Sequence, residues 1–151
     1  MNFPITKEQL QKGFELKNNI NINEKKLFIE QYIKDILEMV SIQIIKKTVD
    51  EYTYINNNNF NINEIQKFKF DLNFGNINGI FRNEMNNFWN KNYDYNYNIY
   101  NCNTHIPIFY PILEDEITDI KMKILEGLKE RFPDCSIEID SLQTYILIDW
   151  N

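Results

Sequence analysis

The sequence predicts an α+β fold: long helices packed on one face of an antiparallel sheet of about four strands, ending in a C-terminal β-hairpin. Three observations predict it. Between Glu24 and about Tyr52, Ile29, Ile33, Ile36, Val40 and Ile44 recur at three- and four-residue steps, the period of one helix face. The stretch "KFKFDLNF" alternates instead, with Phe68, Phe70, Leu72 and Phe74 against Lys67, Lys69, Asp71 and Asn73, the period of a half-buried strand. The helix and strand signals do not alternate regularly along the chain, as a parallel doubly wound sheet would require.

The first element is a short helix from about Lys7 to Lys17. Thr6 and Gln9 fit a capping box, and Ile5 with Leu10 fits a hydrophobic staple. After "NNINI", Asn23 is placed to cap the long helix from Glu24 to about Tyr52. Phe28, Ile42, Ile45 and Val49 widen its apolar stripe, and a stripe that wide is buried on more than one side, within the domain or against a partner. At 1.5 Å per residue such a helix spans roughly 43 Å, more than the diameter of a compact domain of this size, so part of it projects or meets a partner. Ile42 and Ile45, off the main stripe, are the residues placed at that contact.

The run Asn56 to Asn59 is the candidate linker. It divides a single domain, residues 1–151, into a helical part (1–55) and a mixed part (64–151). Beyond the strand, Gly75 and Gly79 bound a turn, and Ile80, Phe81, Met85, Phe88 and Trp89 return to helical spacing. "YDYNYNIY" sets Tyr93, Tyr95, Tyr97 and Ile99 on one face and reads as a strand, with a tyrosine-lined loop as the alternative. Pro107 and Pro111 confine "HIPIFYPI" to an edge or a crossing loop. From Glu114 to Phe132, Ile117, Ile120, Ile124 and Leu128 form one stripe, acidic residues fill the first turn and Lys129 and Arg131 the last, and Pro133 ends the helix.

The tail "RFPDCSIEIDSLQTYILIDWN" completes the sheet. A two-residue turn at Leu142 and Gln143 sets Asp140 opposite Tyr145, Ile139 opposite Ile146, Glu138 opposite Leu147 and Ile137 opposite Ile148. One face is then wholly apolar (Ile137, Ile139, Ile146, Ile148, Trp150), whereas a one-residue slip would mix both faces. Glu138, Asp140 and Asp149 fall on the solvent side.

Composition narrows the function classes. A net charge of -6 opposes a large sequence-independent grip on phosphate, so nucleic acid is disfavoured. No apolar run approaches the roughly 20 residues that cross a bilayer, and the start carries no basic or apolar leader pattern, which together predict a non-secreted protein without membrane insertion. The chain has no alanine and two arginines, Arg82 and Arg131, while Asn, Ile, Lys and Tyr abound. AT-rich codon usage explains that bias, and with it the Asn runs, better than a recognition function does.

Several constellations remain. Glu138, Asp140 and Asp149, with Asp134, can be read as an oxygen-rich site for a divalent metal in a small metal-dependent enzyme. "PD…E-I-D" follows the order of the PD-D/E-x-K nucleases, but Asp140 stands where the motif has lysine, and Asp134 is too near Glu138 for the two acids to sit on successive strands. A solvated acidic strand face is the preferred reading. Cys102, His105 and Cys135 offer a chelating C-N-T-H spacing without a second paired knuckle, which favours free thiols over zinc. The segment around Phe88, Trp89, Tyr93, Tyr95 and Tyr97 suits a sheet core or a protein contact better than a nucleic-acid stacking platform, since only Lys91 supplies positive charge nearby. No catalytic residue, cofactor or metal is assigned.

The last third, "HIPIFYPILEDEITDIKMKILEGLKERFPDCSIEIDSLQTYILIDWN", resembles the tail of small uncharacterised proteins of large nucleocytoplasmic DNA viruses of protists: an acidic helix running into "FPD", a strand and a closing "IDW". The resemblance implies a viral product in the host cytoplasm or virion and carries no chemistry with it. The function expected is a non-catalytic interaction or structural protein, a minor virion or assembly component that meets a protein partner or self-associates.

Overall fold

The computed structural model describes residues 4–57, 66–93 and 110–151. Their secondary structure is α+β: helix α1 (Lys7–Gln11), α2 (Gly13–Asn57), strand β1 (Lys67–Asp71), α3 (Ile77–Tyr93), α4 (Glu114–Arg131), β2 (Ser136–Ile139) and β3 (Tyr145–Asp149). The chain's contacts group into two units that do not follow sequence order. One comprises residues 1–30 and 74–114, the other residues 31–73 and 115–151.

Helix α2 departs from expectation, because the break foreseen at "NNINI" does not occur. Each Asn costs a helix less than about 1 kcal/mol relative to Ala, an amount tertiary contacts readily override. Here Ile20 and Asn21 are buried, and the Asn21 side chain is engaged by Trp89. The interruption falls earlier, at Lys12, next to the low-propensity Gly13. The Thr6 carbonyl accepts the Leu10 N–H at 3.0 Å, so α1 starts where the capping residues placed it.

In the unit formed by residues 1–30 and 74–114, α3 places Ile77, Phe81, Met85 and Trp89 at four-residue intervals on one buried stripe. The Phe81 ring lies 5.1 Å from that of Phe28 on α2. Asn78 grips the backbone of Ile112 twice: its Oδ1 accepts the Ile112 N–H at 2.7 Å and its Nδ2 donates to the Ile112 carbonyl at 3.2 Å. Gly79, expected to bound a turn, sits inside α3, and only Gly75 lies in the turn before it.

The other unit holds the sheet, antiparallel throughout in the order β1-β3-β2. Among the described residues it has three strands rather than about four. The expected strand from Tyr93 begins where α3 ends, and residues 94–109 lie outside the described residues. The hairpin register matches the expectation, Ile137 opposite Ile148, Glu138 opposite Leu147 and Ile139 opposite Ile146. Strand β1 adds Phe68 opposite Ile148 and Phe70 opposite Ile146, so one sheet face is apolar. Ile137, Ile146 and Ile148 on that face are buried, as are Ile33, Ile36, Val40 and Ile44 of α2 and Ile120, Ile124, Leu125 and Leu128 of α4. Helices α2 and α4 approach closely at Gly127, where an added Cβ would stand 2.6 Å from Leu37 Cδ1. Arg131 Nη1 donates to Ser41 Oγ at 3.0 Å, and Lys121 Nζ donates to the Gln143 carbonyl at 2.9 Å, tying α4 to the helix and to the hairpin loop.

Candidate functional site

The polar sheet face was the first candidate. Its cross-strand rows are Lys67, Asp149 and Ser136, then Lys69, Leu147 and Glu138, then Asp71 and Tyr145. Lys67 Nζ reaches Asp149 Oδ2 at 3.8 Å, and Lys69 Nζ stands 4.4 Å from the centroid of the Tyr145 ring. These are partly exposed contacts of small individual energy. Among the described residues no group of three Cys, His, Asp or Glu side chains is arranged to hold a metal ion. The three carboxylates have separate tasks: Glu138 is exposed, Asp149 accepts the Asn151 N–H at 2.9 Å, and Asp140 turns into the hairpin loop.

Asp140 thereby has a structural task in the hairpin loop, one that its expected position on the solvent side did not reveal. Its Oδ1 accepts the Tyr145 N–H at 2.8 Å and the Thr144 N–H, while Oδ2 accepts Thr144 Oγ1 at 2.8 Å and the Leu142 N–H at 3.3 Å. The turn moves accordingly. Gln143 N–H bonds the Asp140 carbonyl at 2.9 Å and Gln143 takes φ 56°, so the turn is centred on Ser141 and Leu142 instead of Leu142 and Gln143. Loss of water around the carboxyl pushes its pKa up, but the donors from Tyr145, Thr144 and Leu142 together hold it below the usual carboxylate range.

A group whose folded pKa is depressed stabilises fully above its unfolded value, about 3.9 for Asp, and loses that contribution as pH falls through the folded value. Amide exchange at Leu142, Thr144 and Tyr145 is therefore expected to accelerate as pH drops below about 4, after correction for intrinsic exchange. In Asp140→Asn the same amides should exchange faster at neutral pH and show a smaller acid response. An acid response unchanged in Asp140→Asn would remove the carboxylate from this role.

Of the proposed zinc ligands, Cys102 and His105 lie outside the described residues, and Cys135 is a half-buried free thiol. Burial pushes the Cys135 pKa up, and the negative charges of Asp134 and Asp149 add to the effect. A thiol so held is a poor nucleophile at neutral pH.

The interaction residues divide. Trp89 is 3% exposed and belongs to the interior of its unit, which corrects its assignment to an interface. Phe88 is half-buried and meets the Trp89 ring edge-on, with centroids 5.7 Å apart. Tyr93 closes α3, and Tyr95 and Tyr97 lie outside the described residues. Ile42 and Ile45 are more than half exposed on α2.

They do not stand alone. Met39, Val49 and Tyr52 are exposed on the same helix, and Ile42, Ile45, Val49 and Tyr52 follow steps of three, four and three residues, one continuous ridge. Beside the ridge runs an apolar groove of about 270 Å³, lined by Ile44, Ile45, Thr48, Val49, Phe132, Cys135 and Trp150. Lys47 lies near one groove wall: its Nζ stands 5.8 Å from the Trp150 ring centroid, donates to the Lys67 carbonyl and pairs with Glu51 Oε1 at 3.1 Å. The backbone N–H of Trp150 donates to the Gln66 carbonyl at 3.1 Å. The off-phase positions of Ile42 and Ile45 revealed the ridge in the sequence. Phe132, Cys135 and Trp150 carried no such signal, because only the fold brings them beside α2.

The described residues thus combine an α+β secondary structure with an exposed apolar helix face on α2. No protein-family model, curated protein or solved structure matches the chain. No described helix is long and apolar enough to cross a membrane.

Proposed function

We propose that the protein is a non-catalytic interaction module whose binding surface is the ridge Ile42, Ile45, Val49 and Tyr52 with the adjoining groove. The observation that carries this reading is the ridge itself: large apolar side chains left exposed in an unbroken line. Contiguous apolar patches of this kind mark contact sites for proteins more often than idle surface. The resemblance of the C-terminal third and the codon bias favour a setting in the particle of a large DNA virus or its host cytoplasm, as a minor virion or assembly component. Mass spectrometry of purified particles tests that setting.

The surface itself is tested with an environment-sensitive hydrophobic dye. Ile42→Glu with Ile45→Glu is expected to leave the circular dichroism unchanged and to remove most dye binding. Loss of helicity in both the double variant and Val49→Lys would make the ridge part of the core and end the proposal.

A further inference from the structure

The partner of this face can be specified from three features of the ridge and groove. The first is spacing. The steps from Ile42 to Ile45, Val49 and Tyr52 are those of a helix-pairing seam, with β-branched Ile42 and Val49 on equivalent positions two turns apart. Such a seam takes another helix.

The second feature is self-complementarity. Ridge and groove lie side by side on one surface and share Ile45 and Val49. A two-fold contact places the same patch of each copy against the other, so each ridge can seat in the other copy's groove.

The third feature combines charge and area. The chain carries a net charge of -6, which resists close approach of two copies over most orientations. Between Ile42 and Tyr52, however, Lys46 and Lys47 balance Asp50 and Glu51, two positive against two negative, and the ridge positions carry no charge. Ile42 and Ile45 are 57% exposed, Val49 59% and Tyr52 70%. At roughly 150–200 Å² for a whole residue of this size, those fractions offer slightly over 400 Å² per copy, or about 850 Å² for a pair before the groove walls are counted, at the low end for a specific interface.

We infer that the ridge and groove bind a second copy of this chain about a two-fold axis. This rests on the interaction reading above and goes beyond it by naming the partner. The area places the dimer at the weak end of specific association, with dissociation in the micromolar range or above.

Sedimentation equilibrium on the full chain, from about 10 μM to about 1 mM at about 0.15 M salt, tests it. The wild-type mass is expected to exceed the monomer value and to rise with concentration toward twice that value, equally at about 0.5 M salt, since the contact is apolar. Ile42→Glu with Ile45→Glu is expected to weaken the dimer about 100-fold or more without changing the circular dichroism, and Val49→Lys alone about tenfold. A wild-type chain that stays monomeric throughout overturns the second-copy inference; if the dye result above still holds, the interaction reading survives for another partner. A dimer that persists in the folded variants places the contact elsewhere and overturns the inference. Unfolding of both the double variant and Val49→Lys ends the inference and the interaction reading together.

Discussion

Ile146→Ala is expected to destabilise the unit that contains the sheet by about 3–4 kcal/mol. Ile146 lies on the central strand, opposite Ile139 on one side and Phe70 on the other, and its side chain is fully buried. Truncation removes three carbon atoms from an interior whose neighbours, held by two strand pairings, can close the gap only in part. The cost is the lost transfer free energy plus that of the residual cavity. Ile146→Val, which removes a single methylene, should cost about 1 kcal/mol. Urea unfolding followed by far-ultraviolet circular dichroism measures both. Equal midpoints for the two variants would mean that the site collapses freely, contrary to a close-packed sheet core.

That core could be read from the sequence because a strand has period two. In "SIEI" and "YILID" a slip of one residue would have mixed apolar and polar side chains on both faces, so a single register satisfied burial, and the structure adopts it. The turn was misread because register alone does not specify it. Asp140 collects backbone and hydroxyl donors from Leu142, Thr144 and Tyr145, and this local capping shifts the turn by one residue while the strands stay in place. The "NNINI" break was misread for the opposite reason. Weak helix propensity is visible in the sequence, whereas the Trp89 that secures Asn21 is 68 residues away.

The candidate surface was legible to the same extent. Ile42 and Ile45 fall out of phase with Ile33, Ile36, Val40 and Ile44, a local signal, and the structure exposes both. Phe88 and Trp89 looked equally available, since aromatic residues suit interfaces and interiors alike. The positions of Trp89 in phase with Ile77, Phe81 and Met85, four residues apart on α3, were the sign that it faces inward. Trp150 was legible as part of the hairpin's apolar face, whereas its meeting with Phe132, Cys135 and α2 in one groove depends on long-range packing.

Trp89→Ala is expected to cost the unit formed by residues 1–30 and 74–114 about 3–5 kcal/mol. The indole is buried, and its Nε1 donates to Asn21 Oδ1 at 2.8 Å, also buried. Asn21 Nδ2 has no hydrogen-bond partner among the described residues, so the indole bond is the one that offsets the cost of placing this amide in the interior. Trp89→Phe keeps an aromatic ring and removes the donor. It should cost about 2–3 kcal/mol, more than the loss of ring area alone, because Asn21 Oδ1 is left buried and unpaired. Asn21→Ala removes the acceptor and leaves the indole N–H in the same position. If the bond is the coupling, Trp89→Phe with Asn21→Ala should be less damaging than the sum of the two single changes, by about 1–2 kcal/mol. Thermal unfolding of the four proteins closes the cycle. Additive costs would show that the two side chains stabilise the helix pair independently, and the continuity of α2 through Asn21 would then need another cause.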